Sequence, residues 1–248
     1  MANFLPLKQY MFYCIDRLID QYGISSPFLD VGCGIGDVSQ HVASKGWQGK
    51  AIDFSDIAIK NAKKNLASFP HVEIEKKSLF EEIGTFETIF FMDILEHIED
   101  DNAALKKIFS LLSLGGYVII SVPSNPKEWR WDDDFYGHCR RYPLDDIKKK
   151  LIKAGLEPIV FWDFTYPVFW LMRRIYTRLK SCPENLSKDR LYRTYYSTSM
   201  NSWDIPFLSN FLQRKCILWN HVYRMQFSCF KNKVQKGHEM LVLAKKPM

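Results

Sequence analysis

Phe28-Leu-Asp-Val-Gly-Cys-Gly-Ile-Gly-Asp37 decides how the rest of the chain is read. Phe28 to Val31 has the apolar content of a buried strand. It runs into a turn carrying Gly32, Gly34 and Gly36, and a helix pattern follows from Asp37 to Lys45. Glycines at this spacing let the chain turn sharply and let a ligand lie against bare peptide. A second short strand, Lys50-Ala-Ile-Asp53, ends in a carboxylate about twenty residues on, where a ribose diol is held in sheets of this kind.

The spacing is not that of a dinucleotide loop. G-x-G-x-x-G is replaced by G-x-G-x-G followed by Asp37, and Asp30 stands just before the first glycine. Two carboxylates flank the place where a helix N-terminus would otherwise receive a pyrophosphate. A ligand with a cationic head suits the loop better. S-adenosylmethionine has an adenosine, a ribose diol, a sulfonium and an ammonium, and no phosphate. A doubly wound sheet binding some other nucleotide, or none, is the alternative.

At this point the chain resembles the class I S-adenosylmethionine-dependent methyltransferases, whose first motif is (D/E)-x-G-x-G-x-G. Asp30, Gly32, Gly34 and Gly36 match it position by position. The resemblance implies that these residues and Cys33 line the donor. It further implies that Asp53 bonds the ribose hydroxyls with Phe54 beside it. Ser78 and Leu79 stand on the adenine side, where many members carry an Asp. Phe86-Glu-Thr-Ile-Phe-Phe-Met-Asp93 resembles the fourth strand, with Met92 and Asp93 at its donor end. Ile94-Leu-Glu-His-Ile-Glu-Asp100 resembles an LEH(I/V)xD segment that sets His97 beside the donor. Leu111 to Val122 resembles a helix end, a double-glycine turn and the fifth strand. About half the chain is covered, and the fold implied is a seven-stranded, mostly parallel, doubly wound sheet in the order 3-2-1-4-5-7-6.

The remaining pattern agrees with alternating helices and strands. Leu7 to Tyr22 is amphipathic and stops at Gly23. Ser55 caps a helix running to Ala67, Val72 to Lys76 alternates as a strand, and Ile98 to Leu112 is helical. Pro143 and Gly155 bracket another helix, and Ile159 to Phe164 and His238 to Ala244 are the last strands. Some seventy residues separate those two strands, too many for a plain connection. The organisation expected is a leading helix over the site (1–24), a core (25–164), a helical insertion (165–236) and a closing strand (237–248). Helices are expected near Pro167 to Lys180 and Phe207 to Phe230, with a tyrosine-rich linker between them.

Net charge is +6 over 248 residues. The insertion holds thirteen Lys and Arg against Glu184, Asp189 and Asp204, which makes it +10 and leaves −4 for the rest. It is also aromatic, with Tyr166, Phe169, Trp170, Trp203, Phe207 and Trp219. A lid over an anionic acceptor, a peripheral membrane surface and a dimer interface all fit this composition. A single-stranded nucleic acid fits less well, because the (D/N)-P-P-(Y/F) tetrapeptide of base methyltransferases is missing. Six scattered cysteines form no metal or disulfide spacing, and no Cys/His set points to a metal. The opening residues do not read as a secretory signal and no apolar run is long enough to span a membrane, so a cytoplasmic location is expected.

Methyl transfer needs an aligned nucleophile and, for a hydroxyl, a group that takes its proton. His97 is one candidate, or else a turn former that bonds a carbonyl. Gly137-His-Cys-Arg-Arg-Tyr142 resembles a GHxRRY segment of bacterial small-molecule methyltransferases. It offers His138 as base, Arg140 and Arg141 as grips on an anion, and Tyr142 as a pocket wall. The arginines could instead pair with Asp132, Asp133 and Asp134. Tyr10, Tyr13 and Tyr166 complete the acceptor candidates. The expected reaction is methylation of an oxygen, or a nitrogen, of a small, anionic or lipid-linked metabolite.

Overall fold

The computed structural model describes residues 5–182 and 217–248. Its sheet has seven strands in the order β3-β2-β1-β4-β5-β7-β6, as expected. In chain order these are β1 (Phe28–Val31), β2 (Gly49–Asp53), β3 (Val72–Lys76), β4 (Phe86–Met92), β5 (Leu112–Pro123), β6 (Glu157–Asp163) and β7 (Glu239–Lys245). The first five pair in parallel, and β7 runs antiparallel to both β5 and β6. The helices are α1 (Pro6–Tyr22), α2 (Asp37–Ala43), α3 (Asp56–Asn65), α4 (Asp101–Leu111), α5 (Trp131–Tyr136), α6 (Leu144–Lys153), α7 (Val168–Leu179) and α8 (Ile217–Phe230).

Strand alternation divides the core into two layers. Phe28, Phe90, Ile119 and Leu241 face one side, with α1, α2, α3, α7 and α8 above them. Leu29, Ile89, Phe91, Ile120 and Val242 face the other, under α4 and α6. Burial on both faces is why the central strands read as nearly continuous apolar runs.

Caps fix the ends that point at the site. The Ser55 side chain accepts from the Ala58 N–H, and that of Asp100 from the Ala103 N–H. This second cap starts α4 three residues later than the periodicity predicts; Leu95–His97 forms a single 3-10 turn before it. The double glycine does not precede β5 but lies within it, since Leu112 already pairs with Phe86 and Gly115 bends the strand at φ 78°. The short α5 was not expected. Its first turn carries Asp132, Asp133 and Asp134, whose charge complements the helix dipole.

Of the expected insertion, α7 and α8 are described; the linker with Trp203, and the start of the second expected helix with Phe207 and Phe211, lie outside the described residues. Tyr223 of α8 donates to the Pro6 carbonyl at 2.9 Å and stacks on Tyr10 of α1. Trp131, the first residue of α5, donates to the Thr177 carbonyl of α7. Thus α7 stands over the loop that follows β5. No described helix is long and apolar enough to cross a membrane.

Candidate active site

β1 delivers the glycine loop to the carboxyl edge of the sheet. Gly32, Gly34 and Gly36 all have positive φ, at 67°, 56° and 82°. A Cβ on Gly32 would lie 2.3 Å from Ile94 Cδ1, so the loop is packed against the turn after β4. A Cβ on Gly34 would meet nothing within 4 Å. Here the peptide faces open space, as a ligand resting on backbone requires. Asp53, at the end of β2, accepts from the Gly34 N–H at 3.0 Å and from the Ser55 N–H at 2.8 Å. These bonds orient a buried carboxylate, and a carboxylate retains lone pairs for a diol. Phe54 is exposed beside it. Ser78 closes a capping box with Glu81, and Leu79 is buried beneath it.

Two acids at the loop are not the open charges that the sequence implied. Asp30 is 2% exposed and accepts from the Ser39 hydroxyl at 2.6 Å and the Ser39 N–H at 3.1 Å. Burial pushes its pKa up to about 7. It ties the loop to α2 from behind. Asp37 is paired with Lys8 of α1. Neither acid repels an anion with a full charge, so the selectivity for a cationic head must come from elsewhere. Asp93 is an exposed acid at this edge of the sheet. It stands at the end of β4, with φ 53°, and its carboxylate accepts from the Ser121 hydroxyl at 2.6 Å. Met92 is half-buried beside it, and Cys33 is a buried thiol between the loop glycines.

The second half of the site is assembled around α5. His138 Nδ1 lies 2.9 Å from Asp133 Oδ1, which fixes the ring and leaves Nε2 directed at Glu96 Oε1, 3.9 Å away. The His97 ring stands edge-on to His138 at 5.0 Å between centroids. The Cys139 N–H donates to the Glu96 carbonyl, and the Tyr142 hydroxyl donates to the Leu95 carbonyl, so the two segments are clamped together. Because β7 is antiparallel, its first residue, Glu239, pairs with the last of β5 and enters the same corner. Glu239 is a quarter exposed; burial and the Asp93 charge raise its pKa.

Several expected acceptor contacts prove to be framework. Arg141 is 6% exposed and is spent on Asp133 at 2.7 Å and on the Ser124 and His238 carbonyls. Arg140 turns toward α4, bonding Asp101 at 2.6 Å and the Glu99 carbonyl. Both guanidinium groups are thus engaged by groups of the chain itself. Tyr142 is fully buried, with its hydroxyl also 3.0 Å from Asp101, and walls no pocket. Tyr10 is fully buried among Tyr13, Phe169 and Tyr223. Tyr13 is half-buried under Arg17, and Tyr166 packs on Trp170 and Phe230. Packing of aromatic against aromatic replaced the expected contact with ligand.

The alternative that an arginine pairs with the acids at 132–134 describes Arg141 and Asp133, whereas sequence reasoning overlooked Glu96, Glu239 and Arg173. Arg173 of α7 is buried and forks onto Asp132 at 2.6 and 2.8 Å and onto Asp133 at 2.9 Å. Arg174 holds Glu128 at 2.5 Å. Only the run of acids at 132–134 hinted at this network. Nor did the sequence indicate a metal, yet ligand atoms of Glu96, His97 and His138 all lie within 4.8 Å of one another.

The network carries a pH signature. Burial raises the Asp133 carboxyl pKa, but the His138 hydrogen bond and the Arg141 charge outweigh it and hold the group far below the usual range. Asp101 and Glu128 are also held low, against burial, by Lys150 with Arg140 and by Arg174. For an acid depressed on folding, the stabilisation is complete above its unfolded pKa, about 4, and is lost as pH falls through the folded value. Melting temperature is therefore expected to be flat on these groups' account above pH about 4.5 and to fall steeply below it. Thermal melts of wild type and Asp133→Asn across this window check the point, and the variant's acid limb should be shallower.

A family model described as a methyltransferase domain matches residues 8–160. The chain belongs to the methyltransferase-domain family. Among curated proteins, this methyltransferase-domain chain is 32% identical over 122 residues to a ubiquinone biosynthesis O-methyltransferase of Nitrosomonas europaea, covering 46% of this chain and 51% of the relative. It is 37% identical over 99 residues to the protein of the same name from Xanthomonas euvesicatoria pv. vesicatoria, covering 38% and 41%. The chain thus spans about half the length of the relatives it matches. Among solved structures, the N-methyltransferase NodS of Bradyrhizobium japonicum WM9 superposes over 98% of both chains with a TM-score of 0.57 at 14% identity, a likeness of fold.

Proposed function

We propose that this chain is an S-adenosylmethionine-dependent methyltransferase that methylates a hydroxyl of a small acceptor. Membership of the methyltransferase-domain family supports the reaction class, and the names of the relatives support oxygen as the acceptor atom. The observation that carries the acceptor reading is the His138–Asp133 pair beside Asp93 and the glycine loop.

The donor rests on the open peptide face at Gly34. Its ribose diol bonds Asp53, and its cationic methionine end meets Asp93. Transfer is an in-line displacement: the acceptor oxygen forms a bond to the methyl carbon, the carbon–sulfur bond breaks, and its electron pair goes to sulfur. S-adenosylhomocysteine leaves, and the hydroxyl proton is released. The donor already carries an activated methyl, so the residues of this chain need only align the two reactants, exclude water and disfavour the protonated oxygen. The corner of Glu96, His97 and His138 serves that last purpose. With Arg140 and Arg141 engaged elsewhere, an anionic acceptor is no longer required.

Incubation with methyl-labelled S-adenosylmethionine and matched phenol, catechol, alcohol and amine acceptors tests the reading. Label is expected in methyl ethers. Transfer confined to amines, or binding of NADH in preference to S-adenosylmethionine, would overturn it.

A further inference from the structure

We propose that Glu96, His97 and His138 form a binding site for a divalent transition-metal cation, on which the acceptor oxygen is held. The inference deepens the proposed hydroxyl methylation and rests on that reading for its catalytic role, but not for the cation site itself.

Three features of the corner lead to it. The first is the ligand set. One carboxylate and two imidazoles offer one atom each within 4.8 Å of one another, and Glu96 Oε1 and His138 Nε2 are 3.9 Å apart. Tetrahedral zinc-type ligand bonds of about 2.1 Å put ligand atoms about 3.4 Å apart, so the widest pair closes by roughly 1.4 Å when the cation binds. The second is Glu96 itself. It is 1% exposed, and neither carboxylate oxygen has a hydrogen-bond partner on another of the described residues. A carboxylate buried without donors is costly, and a cation is one way to remove that cost. Arg141, whose charge reaches Glu96, is already committed to Asp133 and two carbonyls.

The third feature is the support behind the ligands. Asp133 binds His138 Nδ1, so Nε2 is the nitrogen presented to Glu96. A carboxylate behind a histidine is how metal-ligating imidazoles are oriented and made more basic. Asp133 is held in turn by Arg141 and Arg173, and the Cys139-to-Glu96 backbone bond keeps the two ligand segments in register. Two histidines and one carboxylate leave coordination positions open. An acceptor hydroxyl taking one of them loses its proton to solvent more readily, and the oxygen then attacks the methyl carbon as described above. The nitrogen and oxygen donors favour zinc or manganese over magnesium.

The test uses the full chain, stripped with chelator and dialysed. Isothermal titration with Zn2+, Mn2+ and Mg2+ is expected to give one transition-metal equivalent, and Co2+ loading should give visible absorption bands. Glu96→Gln and His138→Ala are expected to weaken this binding at least 100-fold, and Asp133→Asn roughly 10- to 100-fold. Titration with S-adenosylhomocysteine confirms that each variant is folded. No stoichiometric binding, or binding indifferent to these substitutions, overturns the site. Chelator-resistant formation of methyl ethers by the metal-free chain would overturn the cation's part in catalysis, while leaving hydroxyl methylation intact with His138 as the direct base. Stoichiometric binding that the variants abolish, in a chain forming no methyl ether, upholds the cation site and sinks the reaction instead.

Discussion

Asp53→Ala is expected to lower affinity for S-adenosylmethionine about 100-fold. The carboxylate would lose charge-assisted bonds to two ribose hydroxyls, each worth about 1.5–3 kcal/mol, and about 3 kcal/mol corresponds to that factor. A second loss adds to the first. Asp53 also accepts from the Gly34 N–H, so its removal releases the loop on which the donor lies. Asp53→Asn separates the two: it keeps one amide oxygen as an acceptor and should fall between wild type and the alanine variant. Titration calorimetry with S-adenosylhomocysteine measures both. Unchanged affinity in the alanine variant would put the ribose elsewhere and undo the donor assignment.

His138→Ala is expected to reduce turnover by roughly 100- to 10,000-fold, the range for losing a group that manages a proton in the transition state. Donor affinity should stay within about twofold, because His138 stands on the acceptor side of Asp93. The split matters more than the size. A fall in turnover with unchanged donor binding places His138 at the chemistry. Parallel losses of turnover, donor affinity and melting temperature would make it part of the α5 framework.

Much of the fold was legible because each sheet residue obeys one strong rule. Apolar runs at Phe28, Phe86 and Val118 can only be buried strands, and helices between them force parallel order. The donor half of the site was legible for a similar reason, since glycines and a strand-end acid are local requirements. The acceptor half was not. Whether an arginine grips a ligand or a neighbour depends on what lies within reach in space. Arg141 has Asp133 eight residues before it and His238 nearly a hundred after it, and no periodicity links them. Glu96 sat in a recognised segment, yet its significance comes from being buried without a donor, a property of the whole packing. Likewise Arg173 looked like one more charge on a basic helix until α7 was seen to lie over α5.

The entry of Glu239 has a consequence for how the enzyme comes into being. Its donor half is complete once β4 has paired with β1 and brought Asp93 and Ile94 to the glycine loop. The acceptor corner then waits for β7, the last strand in the chain, which must slide between β5 and β6. Until that insertion, β5 and β6 each present an unpaired edge, an adhesive template for other chains. During synthesis the nascent protein could therefore hold its donor before it can act on an acceptor.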